Sequence, residues 1–145
     1  MFRKALFATD LSAASFAMIN CSCLEVLQQL GTEECILGMC IDGGTYNAAV
    51  FEQTRLVFEQ WLEKQKVLLE KQGLKTRIQV CGESPAKGVP RLAESKGCSY
   101  IILGSQGHGI AKDVLMGSVA LEILHNATVP VLLFHLKTGD EVPEN

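Results

Sequence analysis

"SYIILGSQGHGIAKDVLMGSVALEILHNATVPVLLFHL" (Ser99–Leu136) holds the pattern on which the fold turns. "SYIILG" (Ser99–Gly104) is a short apolar run of strand length. A glycine-rich segment follows, and from Ser118 to about Asn126 the apolar positions take helical spacing. "PVLLFHL" (Pro130–Leu136) is a second buried strand. Four of the thirteen glycines, Gly104, Gly107, Gly109 and Gly117, fall from the last residue of the first strand to the start of the helix, so the backbone freedom is concentrated at the end of a strand.

Working back toward the start, the same alternation recurs. "KALFATD" (Lys4–Asp10) and "ECILGMCID" (Glu34–Asp42) read as buried strands. Between them a helix is expected, capped by Ser12, with Phe16, Ile19, Cys23, Val26, Leu27 and Leu30 at helical spacing and Gly31 as its stop. After the loop "GGTYNAA", the longest helix runs from about Ala49 to Gln72, with Val50, Val57, Phe58, Trp61, Leu62, Leu68 and Leu69 as its inner stripe. "KTRIQVC" (Lys75–Cys81) alternates apolar and polar, the mark of a half-exposed edge strand. "ESPAKGVPRLAESKG" reads as a helix capped by Ser84, with Pro85 first and Gly97 as stop. Gly88 and Pro90 weaken that helix, and a distorted first turn is expected. The order β-α-β-α-β-α-β-α-β predicts an α/β fold: a parallel sheet with helices on both faces. One domain over residues 1–145 is expected, with residues 137–145 as a polar tail.

Composition narrows the function. Charged residues are 20% and the net charge is −3, so no basic field would gather nucleic acid or an acidic membrane surface. No apolar run approaches a membrane span. The apolar stretch of "MFRKALFATDLS" is too short for a signal peptide, so a cytoplasmic location is expected. Of the six cysteines, none form a C-x-x-C, and Cys21 and Cys23 point about 200° apart on a helix, which excludes a shared metal. Scattered thiols in apolar segments behave as small buried hydrophobes, a redox-sensitive or disulfide pair being the alternative.

In an open parallel sheet, ligands bind beyond the carboxyl ends of strands, where neighbouring strands send their chains to opposite faces. Gly104, Gly107 and Gly109 let a ligand approach the main chain, whose N–H groups can cradle an anion. Gly117-Ser118 opens a helix, whose first turn suits phosphate. Two such devices separated by nine residues would suit a di- or triphosphate; the plain alternative is a flexible loop with a helix cap. Neither a Walker loop nor the G-x-G-x-x-G fingerprint is present.

The spacing Gly104-x-x-Gly107, nine residues, Gly117-Ser118 resembles the nucleotide-binding motif of universal stress proteins. "LFATDLS", "ILGMCID", "SYIILGSQGHG" and "GSVALEILHNATVPVLLF" resemble the family's strands and closing section, so the resemblance spans about Lys4 to Leu136. It implies a five-stranded sheet of order 3-2-1-4-5, the adenine nucleotide alpha hydrolase-like arrangement, in which the first and fourth strands are neighbours. As in the family's ATP-binding subgroup, Asp10 would face the ribose or a metal-associated polar group, and Cys40 would offer its main chain to adenine. Leu103 and Gly104 would flank base and sugar. Gly107, Gly117, Ser118 and Val119 would hold phosphates. Ala8 stands before Thr9-Asp10 where many ATP-binding members have proline, and Gln106 replaces a commonly basic residue, for which Lys112 could substitute.

Several residues keep two readings. His108 could donate to a phosphate or lean on the sugar, or it could face solvent; His125 and His135 have structural roles; Asp10 could simply cap the next helix. No nucleophile elbow, paired carboxylates or metal cluster stands out, so no catalytic residue is assigned, and the resemblance implies at most slow ATP hydrolysis. Magnesium would be held mainly by phosphates and water. The last strand is a long apolar edge, an association hazard. Like the family, it would pair with a two-fold mate, giving a homodimer through Val131, Leu132, Leu133, Phe134 and His135. The expected role is an ATP-dependent stress-response module with a signalling protein partner. The alternatives are a nucleotide-free interaction dimer and an adenylating or hydrolytic enzyme on the same sheet.

Overall fold

The computed structural model describes residues 1–9, 23–42, 47–104 and 118–134. Five strands, β1 (Lys4–Ala8), β2 (Glu34–Cys40), β3 (Lys75–Cys81), β4 (Tyr100–Gly104) and β5 (Val131–Phe134), form one parallel sheet of order β3-β2-β1-β4-β5. Four helices connect them: α1 (Cys23–Gln29), α2 (Ala48–Lys71), α3 (Pro85–Ser95) and α4 (Ser118–Asn126). The expected fold and strand order are therefore observed. The start of the first helix, from Ser12 to Ser22, lies outside the described residues, as do the loop residues 43–46, His135 and the tail.

Strand alternation sorts the core into two layers. Ala5 and Phe7 of β1 join Cys35 and Leu37 of β2 and Ile102 of β4 beneath α1 and α2, which contribute Cys23, Leu27, Leu62 and Leu69. Leu6, Ile36, Ile101 and Leu103 face the other way, against Val89, Leu92 and Ala93 of α3 and Ala120 and Ile123 of α4. Each face is thus covered by helices, as a parallel sheet requires. β3 is an edge, with Lys75 and Arg77 exposed and Thr76 and Val80 buried. Gly31, Gly73 and Gly97 follow three of the helices with φ of 78°, 89° and 67°, a left-handed geometry that other residues adopt at a cost.

One expectation is corrected. The inner stripe of α2 is Leu62, Gln65 and Leu69, which lie three and four residues apart and so share one face. Val50, Val57 and Trp61 are 40%, 49% and 49% exposed, because they fall off that face. α3 is the helix expected after Ser84, and it runs unbroken through Pro90. Pro90 has no N–H for the Ala86 carbonyl, and that carbonyl instead accepts from Asn126 Nδ2 at 3.3 Å. Ser84 caps through its main chain, accepting from Gly88 N–H at 2.7 Å, with no side-chain cap bond.

Buried polar groups contrast sharply. The Thr32 hydroxyl donates to the Phe2 carbonyl at 2.7 Å, which leaves the Tyr100 hydroxyl to donate to Thr32 Oγ1, also at 2.7 Å. Gln65 is 0% exposed, yet among the described residues neither Oε1 nor Nε2 has a hydrogen-bond partner. An unsatisfied buried polar group costs about 1–3 kcal/mol. Gln65→Met keeps the side chain's length and removes both polar atoms. It is expected to raise the urea midpoint, with a gain of about 1–3 kcal/mol and an unchanged m-value.

Candidate functional site

The chain leaves β1 for helices that cover one face of the sheet and leaves β4 for α4 on the other. β1 and β4 are hydrogen-bonded neighbours, with Ala5 opposite Tyr100 and Phe7 opposite Ile102. In a sheet of this kind the carboxyl ends of two such strands flank the switch point where ligands bind. Ala8 ends β1 and Thr9 follows it, 6% exposed, its N–H donating to the Gly38 carbonyl at 2.9 Å. Leu103 and Gly104 end β4.

The main chain of Cys40 is oriented by the ladder. In a parallel strand, successive residues turn their N–H and C=O groups to alternate neighbours. Gly38 bonds toward β1 through Thr9, and Ile41 N–H donates toward β3, to the Cys81 carbonyl at 2.9 Å. Cys40, two residues beyond Gly38, therefore turns its main-chain groups toward the carboxyl end of β1. Ser118 and Val119 form the exposed first turn of α4, which follows β4 in the chain. Of the residues singled out in the sequence, Ala8, Thr9, Cys40, Leu103, Gly104, Ser118 and Val119 are described here. Asp10, Gly107, His108, Gly109 and Gly117, together with Gln106 and Lys112, lie outside the described residues. His125 is exposed on α4, beside a shallow hollow of about 290 Å³ between α3 and α4 that shares no residue with the crevice.

What the sequence reading missed is a covalent bond. Cys40 and Cys81 are joined in a disulfide, with their Cα atoms 4.7 Å apart. The two residues are direct partners in the β2–β3 register, which puts both side chains on one face at the same height. For this pair the disulfide alternative holds and the reading as small buried hydrophobes does not. That reading holds for Cys35 and Cys98, which are buried thiols. Burial, with the neighbouring thiols adding to it, pushes Cys35 up to about 12, and burial raises Cys98 as well. Gly88 of α3 packs directly on the disulfide: a Cβ there would lie 2.7 Å from Cys40 Sγ and 3.0 Å from Cys81 Sγ. The glycine that weakens α3 as a helix is what lets α3 approach the sulfurs.

The strand order and the helices on both faces define a doubly wound α/β protein whose switch point lies between β1 and β4. The model of the universal stress protein family matches residues 1–135, and the chain belongs to that family. Universal stress protein MJ0577 of Methanocaldococcus jannaschii is 28% identical over 96% of this chain and 98% of its own length. Its solved structure superposes with a TM-score of 0.80 over 96% of this chain and 99% of that one. Universal stress protein MJ0531 of the same organism is 32% identical over 52% of this chain, a match that spans 44% of that protein. A universal stress protein of Archaeoglobus fulgidus, solved in complex with dAMP, shares the fold with a TM-score of 0.64 at 17% identity, over 92% of this chain and 98% of its own.

Gly88→Ala tests the packing on the disulfide. Alanine gains about 1 kcal/mol in helix propensity, whereas overpacking a fixed neighbour costs about 1–3 kcal/mol. The variant is therefore expected to lower the urea midpoint of the oxidised protein. Under reductant, where a thiol can rotate away, the loss should shrink or reverse.

Proposed function

We propose that residues 1–145 work as one domain in the cytoplasm that binds ATP with magnesium in the β1–β4 crevice and signals its nucleotide state to a partner protein during stress. The observation that carries this reading is the adjacency of β1 and β4 with their connections on opposite faces. The Cys40 main chain, Thr9 and Leu103-Gly104 stand at the carboxyl ends of neighbouring strands, and the glycine segment follows Gly104 in the sequence, which supports the reading. In this reading Cys40 offers main-chain donor and acceptor groups to the adenine edge, and Leu103 and Gly104 flank base and sugar. Asp10 meets the ribose, with Ala8 and Thr9 leading into it. Gly107, His108, Gly109 and Gly117 line the phosphates. Ser118 donates its hydroxyl, and the N–H groups of the α4 first turn, Val119 among them, face the phosphate charge.

The donor set suits a nucleotide better than a bare cation. Among the described residues no three His, Cys, Asp or Glu side chains gather to hold a metal ion, so magnesium would arrive on the phosphates with water completing its shell. An adenine nucleotide as the ligand class is supported by the dAMP complex of the Archaeoglobus relative. Phosphate contacts without a positioned base favour binding over turnover. Among the described residues no helix is long and apolar enough to cross a membrane.

Calorimetric titration of nucleotide-stripped protein with ATP and magnesium tests this reading. Micromolar binding is expected, lost in Gly117→Val because the added side chain blocks the phosphate cradle. Absence of binding by the folded wild-type protein would leave the interaction-dimer reading in its place.

The homodimer belongs to the same proposal. β5 is an outer strand of the sheet, and its four residues are all half-buried. Ile101 N–H donates to the Pro130 carbonyl, so Pro130 and Leu132 turn their main-chain groups inward and Val131 and Leu133 turn theirs outward. A two-fold mate pairing along this edge would use the outward groups. Sedimentation velocity should give a dimer for the wild-type protein and a monomer for Leu133→Pro, which removes an outward N–H without touching the β4 ladder.

A further inference from the structure

We infer that Cys40 and Cys81 form a reversible thiol–disulfide switch that tightens the crevice for its nucleotide when oxidised, an inference that rests on the nucleotide reading above. Three observations support it. Cys40 and Cys81 are half-buried residues, unlike Cys23, Cys35 and Cys98, which are buried. The pair closes by register alone: the strands already align Cys40 with Cys81 across seven paired positions, so oxidation needs no rearrangement of the sheet. And Cys40 has two directions of influence. Its side chain is tied to β3 and pressed by α3, while its main chain turns toward the carboxyl end of β1.

Oxidation fixes the last residue of β2 to the edge strand, with Gly88 seated on the bond. Two thiols require van der Waals separation, so reduction moves one sulfur against α3 and leaves the end of β2 held by its ladder hydrogen bonds alone. A main-chain edge held in its binding geometry loses less freedom on binding than a loose one. The oxidised form is therefore the tighter binder. The oxidant is a small disulfide of the glutathione class. One cysteine thiolate attacks it, breaking its S–S bond, releasing one small thiol and forming a mixed disulfide. The second cysteine thiolate attacks that mixed disulfide at the protein sulfur, forming the Cys40–Cys81 bond and expelling the other small thiol. Two protein thiols lose two electrons and two protons, and one small disulfide becomes two thiols.

The test titrates full-length protein with ATP and magnesium after equilibration in oxidised glutathione or in dithiothreitol, with the disulfide state read by mass after alkylation. ATP affinity is expected to fall at least about fivefold on reduction. Cys81→Ser, whose altered side chain lies on β3 away from the crevice, should bind like the reduced wild-type protein in both conditions. Linkage requires the converse: ATP must make the bond harder to reduce by the same factor, and a tenfold coupling moves its potential by about 30 mV. Equal ATP affinity in both redox states, or tighter binding when reduced, overturns the switch and leaves the nucleotide reading intact. Absence of binding in both states overturns the nucleotide reading and the switch with it.

Discussion

The structure depends on the burial of β1 on both faces. Ala5, Leu6 and Phe7 are each 0% exposed, and both edges of the strand are hydrogen-bonded, to β2 and to β4. A strand in this position has no face for solvent, so three successive apolar residues are required where an exposed sheet would alternate. Covering both faces needs helices on both, so the chain must change sides between the strands that flank β1. The crevice is the geometric consequence of that change. The switch point is therefore set by the demand for two hydrophobic layers, before any binding residue is considered.

This explains why the architecture was legible in the sequence. Apolar runs of strand length separated by helical spacing leave little choice but a parallel sheet, and the stops at Gly31, Gly73 and Gly97 mark the ends of the helices. "KTRIQVC" coincides with β3, because its alternation is the imprint of an edge with one exposed row. The ends of β1 and β2 were less legible. Both strands stop two residues before their aspartates, at Ala8 and Cys40, and β2 ends level with its partner β3 at Cys81, which composition does not record.

The face of α2 shows a different limit. Val50, Val57 and Trp61 are apolar and look like core, whereas Gln65 is polar and looks like surface. The helix turns the other way because Leu62 and Leu69 fix its rotation, and Gln65 falls between them on the buried side. A 24-residue helix carries more apolar residues than one face can bury, so hydrophobicity alone does not choose its rotation. The unsatisfied amide is the cost of that rotation, and the pattern of polar and apolar residues conceals it.

The disulfide was invisible for a reason of another kind. Its cysteines are 41 residues apart and share no motif. Yet "ECILGMC" and "KTRIQVC" are both seven residues long, and both end in cysteine. Once the order 3-2-1-4-5 makes them neighbours, pairing their first residues, Glu34 with Lys75, brings Cys40 opposite Cys81. Gly88 then has its explanation too. A glycine in a helix is unfavourable by itself, but here it admits the sulfurs of the next layer. Chain-local reading treats both features as isolated, one as scattered thiols and the other as a weak helix. Strand register joins them, and it joins them at the strand whose main chain turns toward the crevice. Where a local rule is broken without local benefit, the compensation is found across the sheet.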